Sequence, residues 1–364
     1  MRYGKSQLCR KTGSPEREPK DGEMVFGRRG LDAHSLFLLL LAALIFALMS
    51  LAMPRQFPTT ANLDSMAFQM SEVGILTVAM TLTMLIGGID LSVTATANLS
   101  AISAGLVMVY LSKVGLPSVP VLLAVAGGLL AAMAAGLVCG LVNGLLIGRV
   151  GVPAILATLG TLTLYTGLAY GITKGRAVHG VPSQALFLGI GKILGIPMPL
   201  IIFMIVVAVM SVTLNHTTYG FKAYLLGSNA TAAQFSGIDS RGIILKTHLI
   251  SGLLSALTGI VTLARTNSAY ADYGSSYVLM TILVAVLGGV AVSGGTGRLA
   301  GVTLALITLQ MLSTGFNMLL LRFSGSNFFR DFAWGFLLLF VMALAHLSGR
   351  GRTSALWKRI LSGR

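Results

Sequence analysis

The sequence has 364 residues, of which 55% are hydrophobic and 10% are charged. A soluble domain carries about a quarter charged residues, so the composition excludes a soluble globular protein and indicates a polytopic membrane protein. The net charge of +15 does not indicate nucleic-acid binding, because basic residues commonly flank membrane helices and face anionic lipid.

The first segment, 1–34, is polar, mixed in charge and rich in Gly and Pro, with eight Lys and Arg residues. Such a segment cannot bury enough apolar surface to fold, so it is predicted to be a disordered basic tail. An apolar run, 35–54, follows it. A signal peptide is an alternative for this run, but its polar lead is too long and no A-x-A cleavage pattern follows. The run is therefore predicted to be a retained helix.

Uncharged runs of about 17–25 residues are the signature of membrane-spanning helices. Reading the gaps between charged residues gives ten runs: 35–54, 73–89, 91–112, 114–148, 150–173, 193–221, 247–264, 273–297, 299–321 and 332–349. A lipid-facing backbone must satisfy its hydrogen bonds internally, and the runs lack the alternation of a β-barrel. The predicted fold is all-α, with about ten transmembrane helices in a membrane domain over 35–349.

Ten spans place both termini on one side of the membrane. Residues 350–364 form a second basic tail, and with both tails in the cytoplasm eighteen Lys and Arg residues lie inside against eight outside. The positive-inside rule favours this orientation. Both termini are therefore predicted to be cytoplasmic.

The chain carries no motif for catalysis, cofactor binding or metal binding. Gly4-Lys5-Ser6 lacks the upstream glycine of a phosphate-binding loop, and Cys9 and Cys139 cannot form a disulfide framework. Only Glu72 and Asp90 among the acidic residues fall within the predicted membrane domain's interior. Carriers driven by protons or sodium usually need embedded carboxylates, so this count disfavours a secondary carrier.

The stretch "LIGGIDLSVT", 85–94, places Asp90 between two predicted spans. Gly87 and Gly88 permit a sharp backbone change, and an aspartate there can cap the following helix. Substrate contact is the alternative. Possible residues of the translocation path are Asp90, Ser92, Thr94 and Asn98. The neutral hydroxyl and amide groups of Ser92, Thr94 and Asn98 suit an uncharged sugar; the alternative is that they bond to neighbouring helices.

The longest inner loop, 215–246, contains a short predicted helix. Asn229 is a good N-cap and Gly237 a good stop, and "ATAAQFS" between them makes about two turns. The segment is either a docking element or an ordinary interhelical loop.

Four segments in order resemble the membrane permease subunit of bacterial ribose-type (monosaccharide) ABC importers. They are "GILTVAMTLTMLIGGIDLSVTATANLSA" (74–101), "GLVNGLLIGRVGVPAILATLGTL" (140–162), "YGFKAYLLGSNATAAQFSGIDSRGI" (219–243) and "VLGGVAVSGGTGRLAG" (286–301). The resemblance covers about 36–348. It departs from the common family pattern at Thr94, where glycine is usual, which puts the substrate preference in doubt and leaves the fold unaffected.

The resemblance implies a transport subunit in the bacterial cell (inner) membrane without an ATPase site of its own. Its implied partners are a cytoplasmic subunit that holds ATP and Mg, a periplasmic or lipid-anchored sugar-binding protein, and a second permease copy or paralogue. The implied function is import of a ribose-type sugar by ATP-driven alternating access. Permeases for a nucleoside, a branched-chain amino acid or a signalling furanone remain alternatives.

The resemblance also implies that the loop helix docks on the ATPase. The residues that match the family's coupling loop are Gly227, Ser228, Asn229, Ala232, Ala233, Ser236, Gly237 and Ile238. Small side chains suit close docking, and Ala233→Glu is predicted to leave the permease folded but uncoupled.

Overall fold

The computed structural model describes residues 33–113 and 120–319 and the single positions 332, 335, 336, 339 and 343. The helices are α1 Ala33–Ala52, α2 Thr60–Leu85, α3 Val93–Lys113, α4 Val121–Leu145, α5 Ala154–Thr173, α6 Ser183–Ile190, α7 Met198–His216, α8 Thr218–Ser228, α9 Ala230–Phe235, α10 Ser240–Thr266, α11 Tyr277–Leu287 and α12 Leu299–Leu319. A π-helical turn, Leu146–Val150, directly follows α4.

Eight of these helices are long and apolar enough to cross a membrane, namely α1 to α5, α7, α10 and α12. The prediction of an all-α polytopic membrane protein is confirmed. The basic tails at 1–34 and 350–364 and the predicted span at 332–349 lie largely or wholly outside the described residues.

Two predicted spans differ most from the helices of the structure. The second begins at Thr60 instead of residue 73, because Asp64 and Glu72 belong to α2 although they interrupt its uncharged run. The predicted span 273–297 contains only the short helix α11. The glycine-rich residues 288–297 that follow are uncharged but not helical, and charge gaps cannot distinguish an uncharged loop from a helix.

The centre of the bundle is α10, which packs against α2, α3 and α4. A Cβ on Gly136 of α4 would lie 2.4 Å from the carbonyl oxygen of Gly252 on α10. The two backbones therefore touch directly, the kind of helix approach that small residues allow in membranes.

The loops gather at two ends of the bundle. At one end, residues 86–92, 217–239 and 288–298 meet; we call it the coupling end. At the opposite end, strand β1 (Val178–His179) pairs antiparallel with β4 (Ser268–Ala269), and β2 (Lys192–Ile193) pairs with β3 (Ile196–Pro197) in a tight hairpin. The short helix α6 lies at this opposite end, packed on the last turn of α10.

Candidate functional site

The coupling end carries the helix predicted within 215–246. Asn229 caps α9, its side-chain oxygen accepting a hydrogen bond from the Ala232 amide at 2.9 Å. Gly237 follows the helix with a φ of 75°, a left-handed conformation that glycine adopts without strain. The predicted N-cap and stop are both confirmed.

The two faces of α9 differ in exposure. Ala233 is only 3% exposed and packs with Ala223, Leu226 and Ile243 in a small core of its own. It therefore faces this chain. The expectation that Ala233→Glu leaves the permease folded needs correction, because the substitution would bury an unpaired carboxylate in that core.

The exposed face of α9 includes Ala232, Ser236 and Gly237, with Ile238 half-buried beside them. Phe235 projects from this face with 88% of its surface exposed. The sequence pattern did not indicate Phe235, because the expected sign of close docking was a set of small side chains. A large aromatic side chain left in solvent at a helix end is a common anchor of protein interfaces.

Behind α9, three loops meet in what we call the glycine junction, residues 85–88, 227–228 and 293–297. A Cβ on Gly227 would lie 1.9 Å from the Leu85 carbonyl oxygen, and a Cβ on Gly294 would lie 2.6 Å from the Gly87 nitrogen. The Gly295 amide donates to the Leu85 carbonyl at 2.9 Å. The coupling loop thus touches the end of α2 backbone to backbone.

A side-chain hydrogen bond closes the same junction. The Tyr224 hydroxyl, on α8, donates to the Gly297 carbonyl at 2.9 Å. Burial raises the pKa of the Tyr224 phenol, so the group stays protonated and able to donate. The α8 helix, the end of α2 and the 293–297 loop are therefore linked as one unit.

Asp90 lies just beyond this junction, in the break between α2 and α3. It is 3% exposed, and its Oδ1 accepts from the Ser92 amide at 3.0 Å and the Ser92 hydroxyl at 2.7 Å. Its Oδ2 accepts from the Ser251 hydroxyl on α10 at 3.2 Å. Asp90 thus orders the turn that leads into α3 from a buried position. The predicted capping role needs correction, because the amide that Asp90 binds belongs to Ser92, which precedes the first residue of the helix, Val93.

The hydrogen bonds at Asp90 extend to two more helices. The Asn143 amide of α4 donates to the Ser92 hydroxyl at 2.8 Å, and the Thr161 hydroxyl of α5 donates to the Asn143 side-chain oxygen at 2.8 Å. Asn143, Thr161 and Ser251 were not identified from the sequence, since they lie 18 to 161 residues from their partners.

Thr94 and Asn98 stand apart from this network and line a cavity of about 540 Å³ between α3, α5 and the segment before α11. We call it the α3–α5 cavity. The structure therefore divides the four predicted path residues into two pairs. Asp90 and Ser92 bond to each other and to neighbouring helices, whereas Thr94 and Asn98 face the cavity. Its lining is Leu91, Thr94, Ala95, Asn98, Leu162, Thr163, Thr166, Gly167, Tyr170, Ala271, Asp272, Ser275 and Val278.

One wall of the cavity is non-helical backbone deep in the bundle. A Cβ on Gly105 of α3 would lie 3.1 Å from Val178, which pairs with Ala269 in the strand pair at the opposite end. Asn98 lies seven residues nearer the start of α3, about 10 Å along the helix axis. Residues 271–273 lie level with Asn98, deeper in the bundle than the strand pair, because the Asn98 amide donates to the carbonyls of Ala271 and Tyr273, both at 3.0 Å.

Residues 270–276 are therefore a re-entrant segment that leads into the short helix α11. Irregular backbone at membrane depth is tolerated where it is buried in protein or lines a water-filled cavity, and interrupted helices of this kind form binding sites in transporters. This segment does line the α3–α5 cavity.

A buried ion pair anchors the re-entrant segment. Glu72 of α2 is 1% exposed and pairs with the Arg265 guanidinium through contacts of 2.5 Å and 3.0 Å. The same guanidinium donates to the Tyr273 hydroxyl at 2.7 Å. Glu72, the second carboxylate predicted to lie in the membrane, is thus neutralised by a structural partner and is not a free ligand for a coupling ion.

Membrane-spanning helices, an embedded polar cavity and a capped loop helix with an exposed apolar tip are the features of a polytopic transport subunit. The chain matches the family model described as branched-chain amino acid transport system / permease component over residues 62–345, and it belongs to that family. It is a transport component and a multi-pass protein of the bacterial cell (inner) membrane.

Relatives of known name match most of the chain. It is 33% identical to the ribose import permease protein RbsC of Bacillus subtilis over 286 residues, 78% of this chain and 84% of the relative. It is 36% identical to the protein of the same name from Escherichia coli K12 over 285 residues, 77% and 85% of the two chains. The autoinducer 2 import system permease protein LsrD of Yersinia pestis is 30% identical over 305 residues, 81% and 86%. No solved structure matches the chain.

Proposed function

We propose that this chain is the permease subunit of an ABC importer that translocates a ribose-type monosaccharide into the cell. The observation that carries the proposal is its identity of 33% and 36% to two ribose import permeases over more than three quarters of its length. The α3–α5 cavity supports it, because threonine and serine hydroxyls and the Asn98 amide suit a neutral, hydroxyl-rich solute.

The proposed partners follow from the same relationship. A cytoplasmic subunit would bind and hydrolyse ATP with Mg, since this chain carries no phosphate-binding loop. A sugar-binding protein would deliver the substrate at the opposite end, and a second permease copy or paralogue would complete the path. With the ATPase bound at the coupling end, that end and both termini would lie in the cytoplasm.

We propose that α9 docks on the ATPase with Phe235 as its anchor. The residues predicted for coupling then have separate roles: Asn229 and Gly237 shape the helix, Ala233 holds it to the chain, and Ala232 and Ser236 flank the contact. Movement of α9 would pass through Gly227 and the glycine junction to the end of α2 and the Asp90 break, which opens onto α3 and the cavity.

Transport in reconstituted vesicles tests the function. The full chain is combined with the ATPase and binding protein encoded beside it, and uptake of labelled ribose is followed with and without ATP. We expect ATP-dependent ribose uptake. An ATPase-active complex that carries valine or autoinducer 2 but not ribose would overturn the sugar assignment in favour of the solute carried.

Phe235→Ala tests the docking assignment in the same vesicles. Loss of an anchor at the centre of an interface costs about 2 kcal/mol or more, so we expect ribose-stimulated ATP hydrolysis to fall at least tenfold while the folded chain is recovered in normal amounts. Leu122→Ala is the matched control, because Leu122 is a large apolar residue on α4 that is 75% exposed, away from the coupling end. Wild-type coupling in Phe235→Ala would rule out this anchor.

The two carboxylates predicted to lie within the membrane are both held by structural contacts, which disfavours either of them as the site of a coupling ion. Of the two carboxylates predicted within the membrane, Glu72 is paired with Arg265 and Asp90 is occupied by Ser92 and Ser251.

A further inference from the structure

Asp272, Asn98 and Tyr170 give the α3–α5 cavity two acceptors and an aromatic surface, and only Asn98 was among the predicted path residues. Asp272 lies on the re-entrant segment with its side chain exposed to the cavity. Among the described residues that line the cavity, Asp272 is the only charged one. Its carboxylate offers hydrogen-bond acceptors and no donor.

Asn98 presents a second acceptor. Its amide nitrogen donates to the carbonyls of Ala271 and Tyr273, which uses both of its hydrogens. The side-chain oxygen is therefore the group left to meet a solute. The same two hydrogen bonds hold the residues on either side of Asp272, so the carboxylate is presented from an ordered backbone.

Tyr170 of α5 supplies an aromatic wall. Its ring packs edge-on against Tyr270, with centroids 6.0 Å apart and planes at 90°, and it lines the cavity opposite α3. The fixed ring offers an apolar surface to the C–H groups of a sugar ring. Pockets that combine an aromatic surface with a few placed polar groups orient small ligands.

We propose that the α3–α5 cavity is a sugar-binding station within the membrane path. Asp272 and the Asn98 oxygen accept hydrogen bonds from neighbouring hydroxyls of a neutral monosaccharide, and Tyr170 packs against its apolar face. Thr166 and Ser275 extend the hydroxyl-lined wall. The inference rests on the proposed function and adds to it the residues that recognise the solute inside the permease.

The acceptor groups of the station favour solutes that donate hydrogen bonds. Two acceptors that line one cavity are satisfied by a pair of solute hydroxyls, whereas an anionic sugar acid would bring a carboxylate next to Asp272. Like charges at short distance in a site partly shielded from water repel strongly. Neutral polyols are therefore the class of solute that the cavity fits.

Uptake per ATP hydrolysed is the measurement that tests the station. The intact reconstituted importer is supplied with saturating ribose-loaded binding protein, and labelled ribose uptake and phosphate release are followed in the same vesicles. For Asp272→Ala we expect the ratio to fall about tenfold, the scale of one lost hydrogen bond to a charged group. For Tyr170→Ala we expect a smaller loss, and Tyr170→Phe should restore the ratio because the ring is retained.

Asp64→Ala is the matched control. Asp64 is also an exposed aspartate on the side of the strand pairs, but it pairs with Lys192 and lies outside the cavity. The uptake per ATP hydrolysed in Asp64→Ala should equal that of the wild type. Thr166→Val is a second test in case Asp272→Ala reduces the folded protein, since it removes a cavity hydroxyl and retains the shape of the side chain; its ratio should fall severalfold.

The outcomes separate the two proposals. Wild-type vesicles that hydrolyse ATP but carry no ribose overturn the proposed function, and the station with it. Ribose uptake by the wild type, with unchanged ratios in Asp272→Ala, Tyr170→Ala and Thr166→Val, overturns the station alone. Lower ratios in those variants, with normal ratios in Asp64→Ala and Tyr170→Phe, support it.

Discussion

The glycine junction and the α3–α5 cavity use the same residue type for opposite purposes. At the junction, a Cβ on Gly227 would lie 1.9 Å from a carbonyl oxygen of α2. On α5, a Cβ on Gly167 or Gly171 would meet nothing within 4 Å. Glycine brings backbones into contact at the coupling end and leaves space open along the cavity wall. This difference suits the proposed roles, since backbones in contact would transmit a displacement at the junction and open space would accommodate a solute at the cavity.

The two regions are also held together differently, and the largest effect that we expect exposes this difference. The junction rests on backbone contact, whereas the re-entrant segment beside the cavity depends on the Glu72–Arg265 ion pair. Arg265→Met would leave Glu72 buried and unpaired, a change that typically costs about 3–5 kcal/mol. The thermal unfolding of the full chain in detergent would measure the loss.

Lys192→Met is the control for that experiment. It breaks the Lys192–Asp64 pair, whose side chains are 44% and 37% exposed, and an exposed pair is worth about 1 kcal/mol or less. Equal losses in the two variants would show that the buried pair does not anchor the segment.

Gly227→Ala tests the packing at the junction. The added methyl group would collide with backbone atoms, which cannot move aside as a side chain can by changing rotamer. We therefore expect a loss of stability of about 1–3 kcal/mol, the range for overpacked sites. Gly171→Ala provides the comparison, since open space surrounds it and alanine is the better helix former. If both variants had the same stability, the two regions would not differ in the way proposed here.

The smallest expected effect on stability concerns the hydrogen bond that closes the junction. Tyr224→Phe removes the donor to Gly297 and should cost about 1 kcal/mol, with a clear fall in ribose-stimulated ATP hydrolysis because α8 is released from the 293–297 loop. Tyr219→Phe is matched to it on the same helix, where its hydroxyl bonds Thr247 at 2.8 Å. A similar loss of stability with normal coupling is expected for Tyr219→Phe. Coupling lowered equally by both variants would remove the special role of Tyr224.

The sequence predicted the elements whose signals are local. Apolar runs between charges located the spanning helices, and Asn229 and Gly237 located α9, because a cap and a stop act within a few residues. Long-range partners left no such signal. Glu72, for example, marks one end of a predicted span. Its burial is stabilised by Arg265, which lies 193 residues away and which nothing near Glu72 in the sequence reveals.

By itself, the sequence determined that this protein is a polytopic helical membrane protein and which segments resemble a sugar-importer permease, because composition, periodicity and motifs are properties of the chain. Only the tertiary structure decided that Ala233 faces inward and Phe235 outward, that 273–297 divides into a re-entrant segment, a short helix and a glycine loop, and that Asn98 holds the backbone on both sides of Asp272. Each of these depends on which distant segments pack together. Asp90 shows the difference: its local sequence predicts a helix cap, whereas in the fold its carboxylate accepts from Ser92 before α3 and from Ser251 on α10. Asn143 and Thr161 extend the same hydrogen-bond network.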